Sequence, residues 1–268
     1  MPQNQNDKFT FFVDDKEYVI NKKSDTGEKK KSGIHGPSIA IGAAITAICV
    51  ITIFSLNYTN VEQQALIETE FIETKTASDP SQISLETLFD NSSPILGDPN
   101  APITLIEFGD FQCHFCNVHF KNTEPIILEN FVKTGKVNII FKDYTIIGKD
   151  SVSAAHATHC AEEQGKYWEY HHVLYNNWTG ENNGWAAQDN LIKYANSLGL
   201  DSELFIECMN SSRYTDNIRQ SSIDAEKLGL TGTPAFFIYD RENNNVQYIS
   251  GAQPFESFER VFNSILKK

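Results

Sequence analysis

The sequence predicts an α/β domain that carries an inserted block of helices and is preceded by one N-terminal transmembrane helix. Two patterns and one uncharged segment predict this arrangement. A strand–helix–strand pattern begins at residue 103 and a strand–strand–helix pattern at residue 235, with helical segments between them. The uncharged segment lies between residues 32 and 61. The chain has 268 residues, and its 40% apolar content is sufficient for a full hydrophobic core.

The uncharged segment contains an apolar run from Ile39 to Leu56. A helix of this length spans about 27 Å, close to the thickness of a thin hydrocarbon core. A buried core helix is an alternative, but the run has no polar face and hydrophilic stretches border it on both sides. We therefore predict a transmembrane helix over residues 37–58. A cleaved signal peptide is a second alternative, and the poor cleavage site favours an uncleaved signal anchor.

Charge on the two sides of the run predicts its orientation. Lysines cluster in residues 22–31, whereas the first basic residue after the run is Lys75. The positive-inside bias therefore places residues 1–36 in the cytoplasm as a tail and residues 57–268 outside the cell membrane, in a single-pass protein. The chain has a net charge of −13, and its outer part carries a net charge of −14. This acidity argues against nucleic-acid binding.

A stalk is predicted between the membrane and the domain. Residues 59–94 are polar and acidic and show no apolar period, apart from one or two helical turns expected within 82–90. Prolines and glycines follow, and they indicate irregular structure. We therefore place the folded domain over residues 95–268.

A strand–helix–strand unit opens this domain. Strands are predicted for Ile103–Phe108 and Val137–Phe141, with a helix over 116–133 between them. Pro125 predicts a kink or break in that helix, because proline lacks a backbone N–H group. A connection of this kind implies a right-handed crossover between parallel strands.

The helical insert occupies about residues 150–229. Alanine-rich sequence around Ala154 begins it, and glycines separate the later segments, which are 165–176, 187–198, 201–210 and 214–228. The chain then closes with two strands and a helix, which are Ala235–Tyr239, Val246–Ser250 and Pro254–Lys268. A proline near the start of the last helix suits its first turn.

The motif Cys113-His114-Phe115-Cys116 stands between the first strand and the helix that follows it. Unpaired N–H groups and the helix dipole favour negative charge at a helix N-terminus, so a cysteine there is acidified toward the reactive thiolate. The motif therefore predicts thiol–disulfide exchange. Cys113, nearer the helix start, would be the exposed attacking sulfur, and Cys116 would close the disulfide. A purely structural disulfide is the alternative.

The remaining cysteines predict a second, structural disulfide. Cys49 lies in the predicted membrane span, where it is expected to be inert. If Cys113 pairs with Cys116, Cys160 is left for Cys208, and closing that loop would contribute about 4 kcal/mol in chain-entropy terms. A metal site in the insert is the alternative, with the candidate ligands His156, His159 and Cys160.

Three features of the domain resemble the DsbA-like thiol oxidoreductases of the thioredoxin superfamily. They are the stretch from Glu107 to Cys116, the stretch Gly232-Thr-Pro-Ala-Phe-Phe-Ile238, and the long helical insert between them. The resemblance covers residues 95–268 and implies a thioredoxin-like fold with an inserted helical subdomain. It also implies a cis bond before Pro234, substrate binding by Thr233 and Pro234 of that loop and by Phe115 of the cysteine motif, and no cofactor.

The resemblance also implies a role for an acid below the cysteines. Glu107 would be buried and relay protons for the deeper cysteine, with exposure at a sheet edge as the alternative. A cationic His114 beside Cys113 would stabilise its thiolate. The family's histidine stands second between the cysteines, whereas here it stands first, so a solvent-facing ring with modest influence is an equal expectation.

The cysteine motif alone does not determine the direction of electron flow. An extracytoplasmic position favours donation of disulfides to exported proteins, with reoxidation by a membrane quinone reductase of the DsbB or VKOR-like kind. A reductase or isomerase is one alternative. A binding protein is another, in which Cys113, Cys116 and His119 hold copper or another soft metal.

Overall fold

The computed structural model describes residues 8–13, 16–21 and 84–267. Strands β1 (Lys8–Val13) and β2 (Lys16–Asn21) form an antiparallel hairpin, which the sequence analysis did not predict. The transmembrane helix predicted over 37–58 lies outside the described residues. Within the described ranges, none of the helices has the length and apolar character needed to cross a membrane.

A four-stranded sheet forms the centre of the domain, in the order β4-β3-β5-β6. Its strands are β3 (Ile103–Gly109), β4 (Val137–Asp143), β5 (Ala235–Asp240) and β6 (Asn245–Ser250). The β3–β4 pair is parallel, as the crossover predicts, and the other two pairs are antiparallel. Every residue of β3 is buried, so Glu107, which precedes the cysteine motif on this strand, lies in the core.

The helices follow the predicted order with small shifts of their ends. They are α1 (Leu85–Phe89), α2 (His114–Asn122), α3 (Glu124–Ile127), α4 (Lys149–Glu162), α5 (Tyr167–Asn176), α6 (Gln188–Ser197), α7 (Ser202–Ser211), α8 (Thr215–Lys227) and α9 (Phe255–Leu266). The break predicted near Pro125 is confirmed, because α2 ends at Asn122 and α3 begins at Glu124. A π-helical turn, Leu128–Val132, completes this connection.

Side chains of β3 alternate between two hydrophobic clusters on opposite faces of the sheet. Ile103 and Leu105 belong to the larger cluster, which includes both cysteines of the motif and the helical insert. Ile106 and Phe108 belong to the smaller cluster, beside α1 and α8. Because successive strand residues point to opposite faces, Glu107 lies on the face of the larger cluster. The strand period therefore places this acid on the same side as the cysteines.

The domain begins earlier than the predicted boundary at residue 95. Leu88 of α1 is fully buried, the Ser93 N–H donates to the Phe141 carbonyl at 2.8 Å, and Leu96 bridges to Ile139. The later part of the predicted stalk over 59–94 is thus part of the fold. The boundary was predicted too late because the preceding residues are mostly polar. A short helix needs only one buried apolar side chain to dock.

A buried lysine holds α1 on the sheet. The Lys142 ammonium of β4 donates to the carbonyl oxygens of Thr87 (2.8 Å) and Asp90 (2.6 Å) and to Asp224 Oδ2 (3.2 Å). Its side chain is 0% exposed. Burial lowers the pKa of Lys142 and the Asp224 carboxylate opposes that shift, so the ion pair and the two carbonyls offset the cost of desolvation.

The second disulfide is confirmed. Cys160 of α4 and Cys208 of α7 are bonded, with Cα atoms 5.7 Å apart. The alternative metal site in the insert is wrong, because the sulfur of Cys160 is in this bond and His159 pairs with Asp143 (2.8 Å) and Glu162 (3.1 Å). The bond ties two helices of the insert together.

Removal of the buried ammonium should destabilise the domain much more than removal of an exposed one. We expect Lys142→Met to lower the free energy of unfolding by about 3 kcal/mol, because two carbonyls and a buried carboxylate lose the hydrogen bonds that Lys142 donates. Lys227→Met is the matched control, since Lys227 pairs with the same Asp224 (3.4 Å) while its side chain is 59% exposed. The control should change the free energy by less than about 0.5 kcal/mol. Equal losses in urea-induced unfolding would contradict this role for Lys142.

Candidate active site

The cysteine motif lies where β3 turns into α2. Cys113 is the N-cap residue of α2, and its N–H donates to the Asp110 carbonyl at 3.0 Å. The buried Asp110 carboxylate accepts hydrogen bonds from the backbone N–H groups of Gln112 (2.8 Å), Ile146 (2.8 Å) and Ile147 (3.0 Å). Asp110 thus fixes the turn that presents the motif, a role that the sequence analysis missed.

The two cysteines are free thiols in different surroundings. Cys113 is 5% exposed and Cys116 is fully buried, so the attacking sulfur is less exposed than expected. A hydrogen bond from the Cys116 side chain lowers the pKa of Cys113 to about 6, against the effect of burial, and backbone N–H groups of Phe115 and Cys116 add to it. Burial raises the pKa of Cys116. At neutral pH one sulfur is therefore an anion and the other a thiol.

The loop before β5 faces the first cysteine. The Thr233–Pro234 peptide bond is cis, as the resemblance implies. The Sγ atom of Cys113 lies 3.3 Å from the carbonyl oxygen of Thr233, to which its thiol form donates. This contact joins two segments that are 120 residues apart in sequence and places Pro234 beside the motif.

Glu107 is 4% exposed in the central strand, so exposure at a sheet edge is wrong. Burial raises its pKa well above the ordinary value, and the nearby Glu124 and Cys113 raise it further. Gly109 keeps the space beside this acid open: a Cβ atom there would lie 2.4 Å from the Phe141 ring and 3.3 Å from Glu107 Oε1. The site therefore holds a neutral acid below an anionic sulfur.

His119 does not join the cysteines. Its Nε2 atom lies 4.0 Å from Glu107 Oε2, and burial lowers the pKa of His119 to about 3. Across residues 84–267, close groups of three possible metal-ligating side chains occur in two places, Glu107/His119/Glu124 and His156/Cys160/Cys208. The second group has its sulfurs in a disulfide. The set of Cys113, Cys116 and His119 is not among the close groups of the described residues, so the copper alternative gains no support from them.

A loop of the helical insert covers the start of α2. Glu181 Oε1 accepts from the His114 N–H (3.0 Å), and Trp178 Nε1 donates to the Gln112 carbonyl (2.8 Å). The His114 ring contacts the rings of Phe115 and Trp178, with centroids 5.3 and 5.6 Å away. Phe115 itself is 59% exposed beside Cys113. The sequence held no local signal for Trp178 or Glu181, since only the fold brings them to the motif.

Comparison with known proteins points to one family. Residues 90–260 match the family described as Thioredoxin. A protein of Bacillus cereus named "Probable disulfide bond formation protein D" is 29% identical over 178 residues, which cover 65% of this chain and 78% of that protein. Alpha-DsbA1 of Wolbachia pipientis is 28% identical, with a TM-score of 0.58 over 64% of this chain and 89% of that one.

The fold is also shared with the oxidised BdbD of Bacillus subtilis. That structure has a TM-score of 0.60 and covers 70% of this chain and 97% of its own, at 24% identity. At this identity the likeness concerns the fold alone.

The asymmetry between the two thiols should be visible in their alkylation. We expect Cys113 in the reduced protein to react with iodoacetamide with a pH midpoint near 6, because its thiolate is stabilised to that extent. Cys116 should resist alkylation while the protein stays folded. Peptide mass mapping after brief reaction measures both, with Cys113→Ala as the control. A midpoint near 9, the ordinary value for cysteine, would contradict the arrangement.

Proposed function

Because this chain belongs to the thioredoxin family and is a protein thiol–disulfide oxidoreductase, we propose that it donates a Cys113–Cys116 disulfide to exported proteins outside the cell membrane. The lowered pKa of Cys113 is the observation that carries this direction. A stabilised thiolate makes the reduced protein more stable relative to the disulfide. The disulfide is then a strong oxidant, which suits a donor better than a reductase.

The reaction proceeds by two exchanges. A substrate thiolate attacks Sγ of Cys113, because this sulfur retains the exposure that Cys116 lacks. The disulfide bond breaks, a mixed disulfide forms, and Cys116 leaves with the electron pair. A second substrate thiolate then attacks the substrate sulfur of the mixed disulfide and releases Cys113 as a thiolate. Two electrons pass from the substrate to the cysteine pair.

The proton for the leaving sulfur comes from the strand beneath the cysteines. Cys116 is fully buried and burial raises its pKa, so it accepts a proton as it leaves. Glu107, whose pKa burial raises well above its ordinary value, lies on the strand beneath and supplies that proton. The Cys113 anion needs no such acid, because its own pKa is below neutral.

Substrate binding is assigned to the surface around Cys113. The backbone of Thr233 and Pro234 offers main-chain hydrogen bonds to an extended substrate strand, a mode that discriminates little between side chains. Exposed Phe115 supplies an apolar contact for unfolded segments. His114, exposed between Phe115 and Trp178, adds positive charge beside the sulfur when it is protonated.

The sequence supports the location and the partner. The predicted anchor over residues 37–58, with lysines before it, supports a cytoplasmic tail and an outer catalytic domain on a stalk. An oxidant that has given up its disulfide must be reoxidised, so a membrane quinone reductase of the DsbB or VKOR-like kind is the partner. The anchor would keep the domain close to it.

Donation of disulfides can be tested with the purified full chain. The oxidised protein should convert reduced, unfolded ribonuclease A to disulfide-bonded forms and become reduced in equal amount. Cys113→Ser should abolish the transfer, because the attacked sulfur is gone. The control Cys160→Ser/Cys208→Ser removes only the second disulfide and should retain transfer.

In cells, Cys116→Ala should accumulate mixed disulfides with exported proteins and with the reoxidising partner, because the resolving sulfur is absent. Recovery of the wild-type pair fully reduced in cells, with slow transfer to ribonuclease A, would instead support the reductase or isomerase alternative. After mild reduction of intact cells, a membrane-impermeant thiol reagent should label Cys113. Labelling only after lysis would contradict the outer location.

A further inference from the structure

We propose that Glu124 is a positioning residue that, across a neutral His119, keeps a proton on Glu107 beneath the cysteine pair. The proposal rests on the proposed function, because it concerns the proton that the leaving Cys116 accepts. Neither Glu124 nor His119 belongs to the cysteine motif or the loop before β5. His119 reaches the site from α2, and Glu124 reaches it through the break between α2 and α3.

The three side chains form one buried cluster from three elements. Glu107 is on β3, His119 is on α2 and Glu124 is the first residue of α3. Their exposures are 4%, 1% and 4%. One carboxylate oxygen of each acid and one ring nitrogen of His119 all lie within 4.8 Å of one another. The cluster thus brings two carboxyl groups together in a site without contact with bulk water.

Two carboxylates this close in an apolar site do not both ionise. The pair retains one proton where a lone exposed acid would lose it. Burial and then the Glu124 charge raise the pKa of Glu107. Charge repulsion from Glu124 therefore adds to burial in keeping Glu107 neutral.

His119 does not neutralise the pair. Its ring lies against the rings of Phe236 and Phe258, with centroids 4.4 and 5.4 Å away. Burial lowers its pKa to about 3, so the imidazole is uncharged at neutral pH. His119 therefore lies beside both acids without supplying charge.

A histidine of α5 lies beside Glu124. The Oε1 atom of Glu124 lies 3.3 Å from Nε2 of His172. The Nδ1 atom of His172 contacts the Trp168 carbonyl, which can only accept, so Nδ1 carries a hydrogen and the ring is oriented with Nε2 toward Glu124. In a neutral ring Nε2 is then an acceptor, so His172 brings no hydrogen-bond donor to the Glu124 carboxylate.

The other titratable groups that face Glu107 do not supply a positive charge. They are Cys113, Cys116, Tyr167 and Tyr175, in addition to His119 and Glu124. When Cys116 leaves, the proton moves from the Glu107 carboxyl to its sulfur, which yields a carboxylate and a thiol. Repulsion from Glu124 disfavours that carboxylate and so drives the transfer toward the sulfur.

The pH dependence of disulfide reduction tests this role in the full chain. The rate constant with glutathione, expressed per glutathione thiolate, should be high below the pKa of Glu107 and fall as pH rises through it. Glu124→Gln should move this fall to lower pH by about one unit, a tenfold loss of proton affinity. Glu124→Asp keeps the charge and should restore the wild-type profile.

The control is Glu169→Gln, which makes the same change at a buried acid that pairs with Lys166. Glu169→Gln should leave the pH profile unchanged. Glu124→Gln would also leave it unchanged if Glu124 had only a structural role. An unshifted profile in folded Glu124→Gln would overturn the proposal. So would a stoichiometric divalent metal that Glu124→Gln removes, because a metal would keep both acids ionised.

Infrared spectroscopy tests the proton without any catalysis and still applies if Glu124→Gln does not fold. The wild-type protein at neutral pH should show the carbonyl stretch of a protonated, buried carboxyl, and Glu107→Gln should remove it. Absence of this band overturns the proton pair even where disulfide transfer is normal. The band without disulfide transfer overturns the proposed function and leaves the proton pair standing.

Discussion

The hydrogen bond from the Cys116 thiol to the Cys113 sulfur is the interaction on which the rest of the site depends. It stabilises an anion on the sulfur that substrates reach and lowers its pKa to about 6. It requires Cys116 to remain a thiol, which burial ensures. Asp110 holds the turn in place, and the start of α2 adds backbone N–H groups. The two cysteines are chemically different because the fold buries one completely.

Because Cys116 is buried, it requires a proton donor when it leaves, and the sheet provides one. A thiolate leaving into an apolar core requires a proton, and β3 places Glu107 on the same face as the cysteines. The same apolar surroundings that make Cys116 a poor anion make Glu107 a weak acid. Glu124, presented by the break at Pro125, strengthens that effect. The same apolar environment thus raises the pKa of both the proton donor, Glu107, and the proton acceptor, Cys116.

The motif and the order of elements were predictable because their signals are local. Hydrophobic period, a proline and paired cysteines identified β3 to β6, the helix break and the disulfide between Cys160 and Cys208, and the family resemblance implied the cis bond at Pro234. The parts that were missed depend on contacts distant in sequence. Trp178 and Glu181 meet the motif only when the insert folds back over it. Docking of α1 depends on Lys142, whose burial no pattern in the sequence showed.

The reduction potential of the Cys113–Cys116 disulfide in the full chain is the most direct test of the stabilised anion. It can be measured by equilibration with glutathione redox buffers at neutral pH, with the two states separated by alkylation. A thiolate with a pKa near 6 predicts a potential above about −200 mV, toward the oxidising end of the thioredoxin superfamily. A potential near about −270 mV, as in thioredoxin, would show that the reduced state is not favoured in this way. That result would contradict the proposed direction of electron flow.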